Sequence, residues 1–175
     1  MLRALERCGV NATFFLAAGA RRGLARWVRT MLDAGHDVQL HCRRHVRHTL
    51  LSEAEIERDG GEALAILREC GAAPTLWRTP WGLTTAATER VARGLGLRLV
   101  RWDIDTHDWR GDPASAMLAS CRRELALGGS VLMHDGLGPG SRRSGAMNTV
   151  ELIAPLVRTA RAEGLAVRPL AEALA

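Results

Sequence analysis

An α/β fold, with parallel strands covered by helices, is what this sequence predicts. Three observations carry the prediction. Helix-period and strand-period segments alternate along the whole chain. Glycines stand where a helical pattern stops. And 175 residues, 47% of them hydrophobic, can bury a full core as one domain.

The elements follow in order. Residues 2–8 read as a helix closed by Gly9, and residues 12–16 as a short apolar strand. Residues 23–34 place Leu24, Trp27, Val28, Met31 and Leu32 at helical spacing and stop at Gly35. Residues 37–40 read as a strand. Ser52 with Glu55 three residues on has the capping-box form, and opens a helix to about residue 70, ended by Gly71. Residues 75–77 read as a strand, 85–93 as a helix stopped by Gly94, and 97–102 as the next strand. Asp112-Pro113 supplies a cap with proline at the first helical position, for a helix to about residue 127. Residues 130–133 (strand), 147–163 (helix), 166–168 (strand) and 170–174 (helix) complete the chain. No repeat, low-complexity tract or linker interrupts it, so residues 1–175 read as a single domain.

Composition excludes several chemistries. All 24 Lys-plus-Arg residues are Arg, and there is no Tyr. A chain without lysine forms no lysine Schiff base and has no phosphate-loop lysine. The formal charge is +5 and the isoelectric point about 10.1, which invites a nucleic-acid reading. The arginines are nevertheless scattered, and aromatics are only 4%, too few for a stacking groove. The expectation is no nucleic acid. Cys8, Cys42, Cys70 and Cys121 form no C-x-x-C pair, so a thiolate zinc site is not expected. They read as reduced thiols, in keeping with a cytoplasmic compartment. No apolar run reaches the length of a membrane span, and the N-terminus is charged and helical rather than a signal peptide.

The polar residues fall at telling places. His41, Arg78, Asp103 with Asp105, and His134 each follow the end of a strand, where parallel α/β folds build their sites. His41 and His45 are four apart, a spacing that on a helical turn puts both imidazoles on one side of a single cation. His36 and His48 lie nearby and are read as non-ligands. In Arg78-Thr79-Pro80-Trp81-Gly82, proline fixes the backbone and glycine relaxes it. Asp105-Thr106-His107-Asp108-Trp109 sets carboxylates beside an indole. Leu132-Met133-His134 puts an imidazole after an apolar strand, and a carboxylate near it would favour the cationic form that a general acid needs.

Taken together and in this order, H-x-x-x-H, R-x-P-x-G, D-x-x-D-W and L-x-H resemble the last four of five motifs of the polysaccharide deacetylase family, the NodB-homology domain of carbohydrate esterase family four. Residues 5–15 also look like that family's segment just after its first motif. The resemblance implies a distorted (β/α) barrel hydrolysing an acetamide on a sugar with a divalent metal, usually zinc. It implies that His41 and His45 are metal ligands and that Arg78 orients the catalytic base. Trp81 would belong to the groove wall, and Asp108 would tune His134, the general acid. Trp109 and Leu132 would line the pocket for the acetyl methyl. The partner implied is an N-acetylated oligo- or polysaccharide.

One part of the pattern has no counterpart. The family's first motif, typically T-F-D-D-G-P, supplies the general base and a third metal ligand, and this sequence holds no Asp-Asp pair. The expectation is a domain incomplete at its N-terminus, lacking the first barrel strand, with a weakened metal site and impaired turnover. The alternative is a non-catalytic carbohydrate-binding remnant of the same fold. If the true start lies upstream, an export signal could precede it. Cys42 stands where the family usually carries Ser or Thr, which puts the support of the metal loop in question.

Overall fold

The computed structural model describes residues 1–19 and 22–174. In chain order the elements are α1 (Leu2–Cys8), β1 (Thr13–Ala17), α2 (Leu24–Asp33), β2 (Asp37–Cys42), α3 (Glu53–Glu69), β3 (Leu76–Trp77), α4 (Ala86–Gly94), β4 (Arg98–Leu99), β5 (Ile104–Asp105), α5 (Ala114–Leu127), β6 (Val131–Leu132), α6 (Met147–Ala162) and α7 (Leu170–Ala173). All strand pairings are parallel, which is the α/β arrangement the alternation predicts. The chain divides into two compact units. The first joins Met1–Ala12 to Trp102–Leu170, and the second runs from Thr13 to Arg101 with the residues from Ala171.

In the second unit the sheet order is β1-β2-β3-β4. Trp77 in β3 has no solvent exposure, and Leu40, Ile56, Leu64 and Leu67 of the same unit are fully buried as well. A buried indole needs an acceptor for its N–H, and the Trp77 Nε1 donates to the His41 carbonyl at 2.8 Å. The ring lies against Gly60 of α3, where a Cβ would come within 2.9 Å of the indole edge. A glycine in mid-helix costs helix propensity, and here it makes room for the largest core side chain. Buried Gln39 stands in for a strand ladder, its Oε1 accepting from the Thr75 and Leu76 N–H groups at 2.8 and 2.7 Å. The Ser52–Glu55 capping box opens α3 as expected, and a second, between Thr85 and Thr88, opens α4.

In the first unit β5 and β6 pair Ile104 with Val131 and Asp105 with Leu132. Ile104, Met117, Cys121, Leu125, Leu152, Leu156 and Ala160 form the core between this pair and helices α5 and α6. Gly9 closes α1 in the left-handed conformation, as its place in the sequence predicts. The Arg161 guanidinium then ties α6 to the Cys8 carbonyl at 2.9 Å.

Several local expectations are corrected. Residues 97–102 are not one strand: β4 ends at Leu99 and β5 begins at Ile104. Asp103 between them accepts the Ser130 N–H and hydroxyl at 2.7 and 2.9 Å, so it fastens the start of β6 rather than following a strand end. Asp105 lies inside β5. Pro113 is the N-cap of α5 with extended backbone, not its first helical residue. Residues 166–168 form no strand. Among the described residues, no helix is long and apolar enough to cross a membrane.

Candidate active site

Each unit carries its own set of the expected site residues. In the second unit these are His41, His45, Arg78 and Trp81; in the first they are Asp108, Trp109, Leu132 and His134.

His41 is not on a helical turn. It lies within β2 at a β-bulge: Leu16 pairs with Leu40 and Ala17 with Cys42, so the register skips His41. A bulge bends the strand and re-aims the side chain it inserts. The His41 Nδ1 lies 2.5 Å from the Arg78 carbonyl oxygen. A carbonyl can only accept, so Nδ1 carries the proton and Nε2 becomes the basic nitrogen, the tautomer a metal-ligating imidazole takes. His45 lies beyond β2, its ring centroid 5.1 Å from that of His41. The segment between them is held by Asp59 on the buried face of α3. Its carboxylate accepts the Arg43 and Arg44 backbone N–H groups at 2.8 and 3.0 Å and the Arg44 guanidinium at 3.3 Å. This answers the question raised by Cys42, which is buried in β2 while Asp59 supports the loop. Its signal in the sequence is a carboxylate on α3's apolar stripe, three residues after Ile56 and four before Ala63.

The arginine of the next motif is buried, its Nη2 donating to the Arg101 carbonyl at 2.7 Å and its guanidinium lying 4.2 Å from the Phe15 ring centre. Trp81 sits in a single 3₁₀ turn with φ 55 and ψ 11, an uncommon conformation for a bulky residue. Such strain costs about 1–3 kcal/mol and must be held by surrounding contacts. The indole makes an edge contact with His45 at 4.3 Å between centroids and carries the Arg47 guanidinium at 4.8 Å. His48 and His36 are buried. His48 meets the Thr88 hydroxyl at 3.1 Å, and His36 packs edge-on to Phe14.

In the first unit Asp108 is completely buried. Its Oδ1 accepts from the His134 Nδ1 at 2.7 Å; its Oδ2 accepts the His134 backbone N–H at 2.8 Å, the Thr149 hydroxyl at 2.7 Å and the Arg143 guanidinium at 3.0 Å. Burial alone would push this carboxyl up, but the His134 and Thr149 hydrogen bonds outweigh it and hold Asp108 below the ordinary carboxylate value. An ionised carboxylate only accepts, so His134 donates through Nδ1 and is left with Nε2 for chemistry. Arg143 also donates to the Thr149 hydroxyl and to the His134 and Gly136 carbonyls, the last two at 2.8 and 3.0 Å. Sequence reasoning missed Arg143 and Thr149. Thr149 had a faint signal, a polar residue on the apolar face of α6's first turn. Leu132, the last residue of β6, is buried and stands two residues before His134. Trp109 is half-buried in the 3₁₀ turn of residues 108–110. His107 before it holds φ 53, and among the described residues it and Trp81 are the two non-glycines with positive φ.

As a cation site, the second unit's set supplies two imidazoles from one stretch of chain. Among the described residues no group of three or more His, Cys, Asp or Glu is placed to hold a metal ion. The donor chemistry therefore fits a divalent metal at two of the positions that a zinc site needs.

The sequence pattern of the polysaccharide deacetylase family matches residues 1–100. The chain belongs to that family. Polysaccharide deacetylases are hydrolases, and the fold agrees. The family 4 carbohydrate esterase from Streptomyces lividans, solved in complex with acetate, aligns with a TM-score of 0.80 at 28% identity, over 95% of this chain and 82% of that one. Among curated proteins, the bifunctional xylanase/xylan deacetylase of Cellvibrio japonicus is 32% identical over 130 residues, 74% of this chain but 18% of that protein. The chitooligosaccharide deacetylase of Bradyrhizobium sp. (strain ANU 289) is 27% identical over 177 residues, covering 97% of this chain and 81% of that one.

Proposed function

We propose that this chain is a sugar deacetylase domain that hydrolyses the acetamide of an N-acetylated oligo- or polysaccharide. The observation that carries the reading is the His134–Asp108 pair, an imidazole whose Nδ1 is fixed on a buried carboxylate. Hydrolysis adds a water oxygen to the acetamide carbon and breaks the carbon–nitrogen bond, and the departing amine nitrogen needs a proton. His134 supplies it from Nε2, and Asp108 holds the ring in orientation and stabilises its charge. His41 and His45 would hold a divalent cation, which when bound polarises the carbonyl and activates water. The Arg78 carbonyl sets the His41 tautomer, and Asp59 sets the path of the loop that carries His45. Trp81, Trp109 and Leu132 serve sugar and acetyl recognition. Because no Asp-Asp pair stands in these 175 residues, we infer slow turnover: a missing general base alone accounts for a factor of about 10²–10⁴.

The test is acetate release from N-acetylglucosamine oligomers with zinc or cobalt added. Slow release that His134→Gln abolishes supports the reading, and release that ignores this substitution overturns the assigned acid. Tryptophan fluorescence titrated with the same oligomers separates the second reading, a carbohydrate-binding domain without turnover. The half-buried, guanidinium-bearing indole at Trp109 favours that second reading, because it can bind sugar without a complete metal set. Binding with no acetate release, metal present, would establish it.

A further inference from the structure

The imidazole assigned as the general acid is not held in place by packing. The His134 side chain is 44% exposed, and it opens a loop, residues 134–143, in which residues 135–140 are all exposed. The loop's own backbone bonds lie at its far end. There the Ser141 N–H donates to the Gly138 carbonyl at 3.1 Å, and the Arg142 N–H donates to the Trp109 carbonyl at 2.9 Å. A half-exposed ring at the head of such a loop keeps one orientation only if hydrogen bonds impose it.

Arg143 closes that loop. Its side chain is 4% exposed, and its two terminal nitrogens face different partners. Nη1 donates to the Asp108 Oδ2 at 3.0 Å and to the Thr149 hydroxyl, while Nη2 donates to the His134 and Gly136 carbonyls at 2.8 and 3.0 Å. One planar group thus spans the carboxylate that receives the imidazole and the main chain that carries it. With the Thr149 hydroxyl and the His134 N–H also on Oδ2, that oxygen has three donors. They fix the plane of the carboxylate and leave Oδ1 to the His134 Nδ1 at 2.7 Å.

Stability alone gives little reason for this arrangement. Well-packed apolar side chains often serve a buried site as well as an ion pair does. The Arg143 Nε is also buried with no hydrogen-bond partner among the described residues, which carries a desolvation cost. What the guanidinium supplies is geometry, a rigid fork that a lysine ammonium on its flexible stem does not reproduce.

We propose that Arg143 is a positioning residue for His134, a clamp that sets the imidazole and its carboxylate in one fixed register. The inference rests on the deacetylase reading for its reaction, and on these contacts alone for the clamp. The full chain is compared with Arg143→Met and Arg143→Lys in three measurements. The first is acetate release from N-acetylglucosamine oligomers with cobalt added, resolved into kcat and KM. Both variants are expected to lose about 10–100-fold in kcat, the scale on which a misplaced group costs rate. KM should change little, because Arg143 acts through His134 and not on the sugar. The second measurement is urea unfolding. Lysine keeps a cation beside Asp108, so Arg143→Lys should recover much of the stability that Arg143→Met loses while kcat stays low. The third reads the ring without turnover. The His134 Nδ1–H resonance, assigned by its absence from His134→Gln, should be sharp in the unaltered chain and broadened or lost in both variants.

In Arg143→Lys, either an unaltered kcat or an unaltered resonance overturns the proposal. So do losses of kcat that track stability through both variants, since a merely structural arginine predicts them. Should Arg143→Met fail to fold, Arg143→Lys carries the test alone. If no form of the chain releases acetate and the resonance is nonetheless lost in the variants, the clamp stands and the deacetylase reading falls. Acetate release by the unaltered chain, with the resonance intact in both variants, removes the clamp and leaves the deacetylase reading in place.

Discussion

Asp108 sets two carboxylate oxygens against four donors, and one of those donors is a guanidinium nearly as buried as itself. Removing one member of a buried pair strands the other charge, which costs more than the pair contributed. Asp108→Ala is expected to lower unfolding stability by about 3–5 kcal/mol in a urea titration. Asp108→Asn combined with Arg143→Met should cost clearly less than the two separately, since the stranded charge is gone. Strict additivity would show that the two side chains are not coupled. His107, one residue earlier, tests the backbone instead. At φ 53 it occupies the left-handed region, which asparagine tolerates and β-branched residues do not. His107→Asn should stay near wild-type stability, while His107→Val should lose about 1–2 kcal/mol. Equal melting of the two variants would mean that the turn relaxes and stores no strain.

At the scale of elements, α3 does two jobs with two residues on one stripe: Asp59 holds the loop between the histidines, and Gly60 admits Trp77. Gly60→Ala gains helix propensity of roughly 1 kcal/mol but forces a methyl to 2.9 Å from a buried ring, and overpacking costs about 1–3 kcal/mol. A net loss is expected. Gly61→Ala meets nothing within 4 Å and should gain up to about 1 kcal/mol. Thermal unfolding of both variants decides it, and stabilisation by Gly60→Ala would refute the packing argument. Asp59→Ala should weaken cobalt or zinc binding by about 10–100-fold, read by calorimetry or cobalt absorption rather than activity. Unchanged affinity would remove Asp59 from the support of the histidine loop.

These same elements show what the letters could and could not reveal. Capping boxes, helix-closing glycines and long apolar periods are local, so α1, α3, α4 and α6 were legible to within a residue or two. His41 within a bulge was not, because a bulge is a property of how β2 pairs with β1, and the pairing is not written in the residues of β2 alone. Strands β4 and β5 merged in the reading because an apolar run has no marker for a strand exchange, and Asp103 is such a marker only through Ser130. The site motifs were legible as letters in order. The groups that hold them, Asp59, Arg143 and Thr149, are polar residues on apolar faces, and their partners lie far along the chain.

Acid should unravel the molecule in two windows. His48 and His36 have their proton affinity lowered by burial, opposed at His48 by the nearby Asp59 charge. His48 packs edge-on to the Trp77 ring and meets the Thr88 hydroxyl, and its burial outweighs the nearby Asp59 charge, so the neutral ring is favoured. Their ordinary value is 6.5. Between it and the lowered native value the unfolded chain binds more protons, so stability is whole above about pH 6.5 and declines as pH falls through that window. Asp108 acts lower. Burial raises its carboxyl and the donors around it pull it down further, leaving a net value below the ordinary 3.8. Its contribution is complete above about 3.8 and disappears as pH falls from there through the native value. The upper window belongs to the second unit and the lower to the first. Urea midpoints from pH 8 to pH 3 should therefore bend twice, and His48→Gln should flatten the slope between pH 7 and 5 whatever it does to absolute stability. A slope in that range unchanged by His48→Gln would place its source elsewhere. A first bend that His48→Gln leaves intact while Asp108→Asn removes it would reverse the order of the two windows and, with it, the view that buried neutral imidazoles are what acid attacks first.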